Sequence, residues 1–107
     1  MKTALIILLV LHGAIHIMGF VKAFNILPVK QLKLPISKSL GTLWLATTLL
    51  CFTCAALVLV NRSAWWIVGL AAVLLSQILV IRFWKDAKFG TVANGVIGVL
   101  GVILWMV

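Results

Sequence analysis

Acidic residues are almost missing from this chain of 107 residues: Asp86 is its one carboxylate side chain, against nine lysines and arginines. Charge of either sign is scarce, at 9% of residues, where a soluble domain carries about 25%. So few charges cannot cover a soluble surface, which makes the class integral membrane protein. No carboxylate falls inside an apolar run, so the acidic relay expected of a proton or ion pathway is missing. The basic residues are not interleaved with aromatics, which excludes a nucleic-acid surface. The net charge of +8 points instead to membrane topology and to contact with anionic lipid headgroups. Proline is limited to Pro28 and Pro35, both in one connecting stretch, and neither an internal repeat nor a low-complexity segment is present.

Four apolar runs fill the remainder: about 3–24, 40–60, 64–84 and 89–107. About 20 residues cross a bilayer as a helix, so each run is one span. The expected fold is an all-α integral membrane protein, an antiparallel four-transmembrane-helix bundle, with 1–107 as a single transmembrane domain. A cleaved signal peptide is the rival for the first run, because Val21 and Ala23 stand in small-residue positions. The run is longer than a signal core, which favours a retained helix with Lys22 snorkelling at its end. Residues 25–38 form a basic connection carrying Lys30, Lys33 and Lys38. Its mixture of Leu, Val and Ile with Lys fits an interfacial segment or a plain basic loop. Ser37 or Ser39 is placed to cap the second helix.

The basic residues also orient the bundle. Lys22, Lys30, Lys33, Lys38, Arg82, Lys85 and Lys88 lie at the first and third connections, and Lys2 and Arg62 at the opposite end. Cytoplasmic loops carry the excess of Lys and Arg, so both termini are expected outside the cytoplasm, in a bacterial inner membrane. Trp44 and Trp84 then fall near the cytoplasmic ends, and Trp65, Trp66 and Trp105 near the outer ends.

The stretch LHGAIHIMGF, residues 11–20, holds the chain's two histidines, His12 and His16, one helical turn apart. Helical spacing places them on a stripe with Leu5, Leu8, Gly19 and Ala23. Trp44, Thr47, Cys51, Cys54 and Val58 share a face of the second span. Gly69, Ala72 and Ser76, with Gln77 beside them, form one in the third. Gly90, Asn94, Gly98, Gly101 and Trp105 line up in the fourth. These small or polar faces are expected to meet inside the bundle.

Two readings of the interior follow. His12, His16, Cys51 and Cys54 together offer four ligands for zinc or copper, and either histidine offers an axial ligand for haem. Against this, Cys-x-x-Cys ligands converge more readily on turns than on a straight helix, and no carboxylate orients a ligating histidine. The plainer reading is a polar cluster in which the histidines bond Thr47, Ser76, Gln77 or Asn94 across helices. Thiol redox chemistry at Cys51 and Cys54 would need a thiolate deep in an apolar site. Small-solute or proton carriage would rest on the His pair alone.

The stretch WKDAKFGTVAN, residues 84–94, places Asp86 to cap the fourth helix. Lys85 and Lys88 flank it, beside helix N–H groups that suit a lipid phosphate. With LHGAIHIMGFVKAF at one end and WKDAKFGTVAN at the other, the chain resembles small bacterial four-helix membrane proteins. It is also broadly similar to the DoxX-like group, through its four short spans, Gly19 and Lys22 near the end of the first, and Gly41 opening the second. Members of that group often carry an acidic residue near the start of the second span, where this chain has Leu43 and Trp44. The resemblance implies association with membrane redox or oxidative-stress systems and carries no catalytic residue across. The expected role is an accessory or scaffold subunit, self-associating or joined to a larger membrane complex.

Overall fold

The computed structural model describes residues 1–107, and every regular element in it is helical. The helices are α1 (Lys2–Ala23), α2 (Lys38–Leu59), α3 (Trp65–Arg82), the single turn α4 (Trp84–Ala87) and α5 (Gly90–Met106). Three of them, α1, α2 and α3, are long and apolar enough to cross a membrane; α5 is apolar but has 17 residues. The molecule is an elongated body of 42 × 22 × 18 Å. Its long helices pack in a ring, α1 on α2, α2 on α3, α3 on α5, and α5 back on α1.

Local chemistry explains where the helices stop. Asn25 and Asn61 adopt the left-handed backbone, with φ of 53° and 59°. Asparagine tolerates this conformation better than most residues. Each one closes a Schellman motif. After α1, Ile26 N–H bonds Val21 O at 3.0 Å and Asn25 N–H bonds Lys22 O at 3.1 Å. After α2, Arg62 N–H bonds Leu57 O at 2.9 Å and Asn61 N–H bonds Val58 O at 3.2 Å. Ser37 caps α2, its hydroxyl accepting the Leu40 N–H at 3.2 Å.

The third expected run, 64–84, is interrupted at Phe83 (φ −114°, ψ 38°), and α4 turns the chain toward α5. The side chain of Phe83 is the cause: it is buried against Trp44, ring centroids 5.7 Å apart, in a cluster with Leu32 and Leu79. A continuous helix would have carried the chain past that pocket.

The α1–α2 seam is the tightest. A Cβ on Gly19 would overlap the Trp44 indole, and one on Gly41 would overlap Ala23. The Thr48 hydroxyl crosses the same seam and donates to Gly13 O at 2.7 Å. Outside the ring lie rows of exposed aliphatic side chains, such as Ile7, Leu11 and Ile15 on α1 and Leu70, Leu74, Ile78 and Ile81 on α3. Single exposed leucines are ordinary in soluble proteins, but uninterrupted rows on several helices suit lipid as the solvent.

The 25–37 connection folds back onto the helix ends. Leu32 is buried and Val29, Leu34 and Ile36 are partly buried, while Lys30 and Lys33 are exposed. Lys22 does not snorkel to solvent. Its Nζ donates to Leu32 O and to Leu34 O, the latter at 2.7 Å. Asp86 does not cap the last helix either. Its Oδ2 accepts the Leu34 N–H at 2.7 Å, and α5 begins after Phe89 with no side-chain cap. The peptide groups of Leu34 are thus held from both sides, by a lysine ending α1 and by the sole carboxylate of the chain. A carboxylate in this apolar setting gains more from a buried backbone donor than from a helix end that water can serve.

Candidate functional site

Three helices bring their polar side chains to one place. His12 and His16 come from α1, Ser76 and Gln77 from α3, and Thr91 and Asn94 from α5. His12, His16, Ser76 and Asn94 are between 0 and 6% exposed, so their polar atoms must find partners within the chain. They do. His12 Nε2 lies 2.9 Å from Asn94 Oδ1 and 3.0 Å from Ser76 Oγ. Ser76 Oγ lies 3.0 Å from His16 Nε2. His16 Nδ1 lies 2.9 Å from the carbonyl of His12, one turn back.

The network determines which ring nitrogen carries each proton. Asn94 Nδ2 donates to Gln77 Oε1 at 3.0 Å, which leaves Asn94 Oδ1 as the acceptor facing His12. His12 therefore holds its proton on Nε2 and donates it. A carbonyl can only accept, so His16 holds its proton on Nδ1 and donates to His12 O. His16 Nε2 is then an acceptor, and the Ser76 hydroxyl donates to it. The oxygen of Ser76 is left to accept a share of the His12 Nε2–H. The chain of donors ends at the α5 surface, where Gln77 Nε2 donates to Thr91 Oγ1 at 3.1 Å. The two imidazoles meet edge to face, 4.5 Å apart at 73°, and His16 leans on the Trp44 indole at 5.3 Å. The indole Nε1 of Trp44 is buried and makes no hydrogen bond.

The site residues expected from sequence divide into two groups. His12, His16, Ser76, Gln77 and Asn94 are brought together as a polar cluster. Thr47 is fully buried but lies outside it, its hydroxyl donating to Leu43 O of its own helix at 3.0 Å. Cys51 and Cys54 are elsewhere, as free thiols in an apolar cluster with Leu5, Leu9, Ala55, Val58, Ala72 and Ile97. Cys54 Sγ donates to Trp65 O at 3.3 Å. No three His, Cys, Asp or Glu side chains converge on a common point, so His12, His16, Cys51 and Cys54 do not form the expected four-ligand set. The two cysteines share the inward face of α2, but both are packed among aliphatic side chains, Cys51 beside Gly13 and Cys54 beside Trp65. Lys85 and Lys88 are exposed, with Lys88 Nζ 5.5 Å from the Phe89 ring centroid.

Two functional contacts lay outside the sequence reading. One is the Lys22–Leu34–Asp86 clamp, and the other is the Thr48 bond to Gly13 O. The first had a signal: a lone acid in a chain this apolar needs a donor, and Lys22 and Asp86 lie at the ends of the first and third apolar runs, at the same side of the fold.

The pairing of Ser76 with His16 has the hydrogen-bond distance of a nucleophile and its base. Ser76 is fully buried, however, and a groove of about 370 Å³ between α3 and α5 is lined by neither Ser76 nor the histidines. The hydrogen bonds of the cluster tie α1, α3 and α5 to one another, which is the chemistry of a junction between helices. Compared with known proteins, the chain matches no family model, no curated sequence and no solved structure.

Proposed function

We propose that the chain is a multi-pass membrane protein, an antiparallel bundle of four spans, that serves as an accessory or scaffold subunit. The observation that carries this reading is the bridging of α1, α3 and α5 by Ser76 and Asn94, both bonded to His12. In lipid there is no hydrophobic drive to bring helices together, so interhelical hydrogen bonds and close packing set their register. A one-residue slip of α5 would take Asn94 away from both His12 and Gln77. The exposed aliphatic rows supply the lipid-facing exterior that the reading requires.

The spread of basic residues supports an orientation with the Lys22, Lys85 and Lys88 end in the cytoplasm and both termini outside. Lys85 and Lys88 would meet anionic headgroups there. A ring of helices with few large buried side chains also favours self-association or assembly with another membrane protein. The similarity to the DoxX-like group proposes a setting near membrane redox systems, which sensitivity of a deletion strain to oxidants would test.

Extraction of the protein into native-lipid nanodiscs tests the main reading. The expected result is a colourless particle larger than one chain and its lipid, containing no stoichiometric metal. Visible absorbance or bound metal that disappears in His12→Ala would overturn the scaffold reading in favour of a cofactor site. A strictly monomeric particle would overturn it too.

A further inference from the structure

Two hollows adjoin at the end of the molecule that holds the α2–α3 turn. The larger, about 370 Å³, is an apolar groove between α3 and α5 with Leu5 and Leu9 of α1 at its floor. That volume lies within the range of about 300–1,000 Å³ typical of ligand clefts. Its walls are low because Gly69, Gly98 and Gly101 stand in them. The smaller hollow, about 180 Å³, is polar and is lined by Lys2, Asn61, Arg62 and Ser63. Trp65 lines both, so the polar hollow opens at the mouth of the apolar one.

The charges there are unbalanced. Lys2 and Arg62 are the two basic side chains of this end. Lys2 Nζ is positioned by Asn61 Oδ1 at 2.6 Å and Leu59 O at 3.5 Å, both neutral acceptors. The one carboxylate of the chain, Asp86, is engaged with Leu34 at the opposite end. Two cations thus share one hollow with no Asp or Glu side chain beside them.

The glycines supply a separate observation. A Cβ built on Gly98 meets nothing within 4 Å, and one on Gly101 meets only Trp65, at 3.7 Å. No packing contact inside the chain calls for glycine at either place, unlike Gly19 and Gly41. The groove they leave runs from Trp65 to Val73 along α3, about 12 Å at 1.5 Å per residue. Unfilled, it would forfeit the dispersion contacts of its lining.

We propose that the composite hollow binds one anionic phospholipid, its phosphate held between Lys2 and Arg62 and one acyl chain laid in the glycine-walled groove. Trp65 lines both parts and Trp105 lines the groove, and amphipathic rings of this kind sit at headgroup level. A second copy of the chain is the poorer occupant. Placed in the same orientation, it would bring its own Lys2 and Arg62 to this end and no acidic side chain.

Tryptophan quenching by brominated lipid tests the site. The full chain, as Trp84→Phe to remove the exposed reporter that does not line the groove, is reconstituted in phosphatidylcholine vesicles. Phosphatidylglycerol or phosphatidylcholine with brominated chains is then added in increasing mole fraction. Half-maximal quenching is expected at a mole fraction about thirtyfold lower for phosphatidylglycerol, as two basic residues near a lipid headgroup imply. Lys2→Gln/Arg62→Gln should abolish the preference, and Arg62→Lys alone should keep it. Gly98→Leu, which has room to fold, should fill the groove and remove the high-affinity quenching while leaving helix content unchanged. Equal curves for the two lipids, or a preference that survives the double glutamine variant, would overturn the proposal. So would a cross-linked dimer of the parent chain that Gly98→Leu abolishes, because a second copy would then occupy the groove.

Discussion

Asn94 Oδ1 accepts the Nε2–H of His12 at 2.9 Å across 82 positions of sequence. This bond ties the last helix to the first, and both partners are buried. Removing either side chain leaves the other without its partner in an apolar setting. The unfolded chain in a membrane or micelle also finds partners, which limits the net worth of the bond. A double-mutant cycle with His12→Phe and Asn94→Leu, followed by thermal unfolding in detergent, should give a coupling energy of about 0.6 to 1.7 kcal/mol. A coupling indistinguishable from zero would mean that the bond does not help to set helix register.

Ser76 should be more sensitive than its size suggests. Its hydroxyl donates to His16 Nε2 and accepts from His12 Nε2. Ser76→Ala removes both contacts and leaves the His16 acceptor unpaired, at a cost of about 1–3 kcal/mol. Thr42→Ala serves as the control, because the exposed Thr42 hydroxyl bonds only Lys38 O of its own helix. That change should stay within about 0.5 kcal/mol. The comparison is read from the unfolding midpoints of the two variants, and equal losses would remove Ser76 from its bridging role.

The contrast between these two residues shows what was legible in the sequence. Hydropathy and length located every long helix to within a few residues, because membrane spans are governed by composition. The helical wheel placed His12, His16, Ser76 and Asn94 on inward faces, and they do meet. Thr47 was also on an inward face, yet its hydroxyl bonds its own helix, since a β-branched hydroxyl can reach a carbonyl one turn back. The wheel also turns the cysteines' face of the second span toward the bundle interior, but it does not specify how far each helix is rotated or tilted about its neighbours. The break at Phe83 was illegible for a similar reason: it depends on Trp44 and Leu32, which are remote in sequence. Asn25 and Asn61 were readable in principle, as left-handed residues that end helices.

Not all glycines should respond alike to alanine. At Gly19 the new methyl meets the Trp44 ring, which is itself boxed in by Phe83, Leu79 and Leu32. Overpacking of that kind costs about 1–3 kcal/mol. At Gly98 the methyl enters open space, and alanine lowers the backbone entropy lost on folding by about 0.5–1 kcal/mol. Gly19→Ala should therefore lower the unfolding midpoint and Gly98→Ala should raise it or leave it unchanged. The same sign at both positions would show that the α1–α2 seam is looser than the Gly19–Trp44 contact implies.

Asp86→Ala should loosen the 25–37 connection without unfolding the helices. The carboxylate is partly buried and its bond to the Leu34 N–H is short, at 2.7 Å. Hydrogen bonds to charged groups contribute about 1.5–3 kcal/mol when well buried, and partial solvent access here reduces that to about 1 kcal/mol. The Leu34 amide should exchange about fivefold faster in the variant, with core amides of α1 and α2 unaffected. Asp86→Asn keeps an acceptor oxygen and should fall between. An unchanged rate at Leu34 would separate Asp86 from the connection. Lys22→Ala offers a second check, since it removes the donor to the carbonyls of Leu32 and Leu34 from the other side.

The final prediction concerns the thiols. Cys51 and Cys54 are free, nearly fully buried and surrounded by Leu5, Leu9, Val58 and Ile97. Soft metals bind thiolate and imidazole donors only where several converge, and no such convergence exists here. Zinc or copper(I) titrated into the purified chain should leave the unfolding midpoint where it was. Cys51→Ala should be destabilising. Its side chain is 1% exposed and packed in the apolar cluster with Leu5 and Leu9. Truncation there removes one buried sulfur and costs about 1 kcal/mol or more. Cys54→Ser keeps a donor for Trp65 O and should be milder than Cys54→Val, which loses it. A metal-dependent rise in the midpoint that vanishes in both His16→Phe and Cys51→Ala would overturn this account, because it would require α1 and α2 to rotate until imidazole and thiol face one another. The α1–α2 seam, with Gly19 under Trp44 and Thr48 bonded to Gly13 O, opposes that rotation.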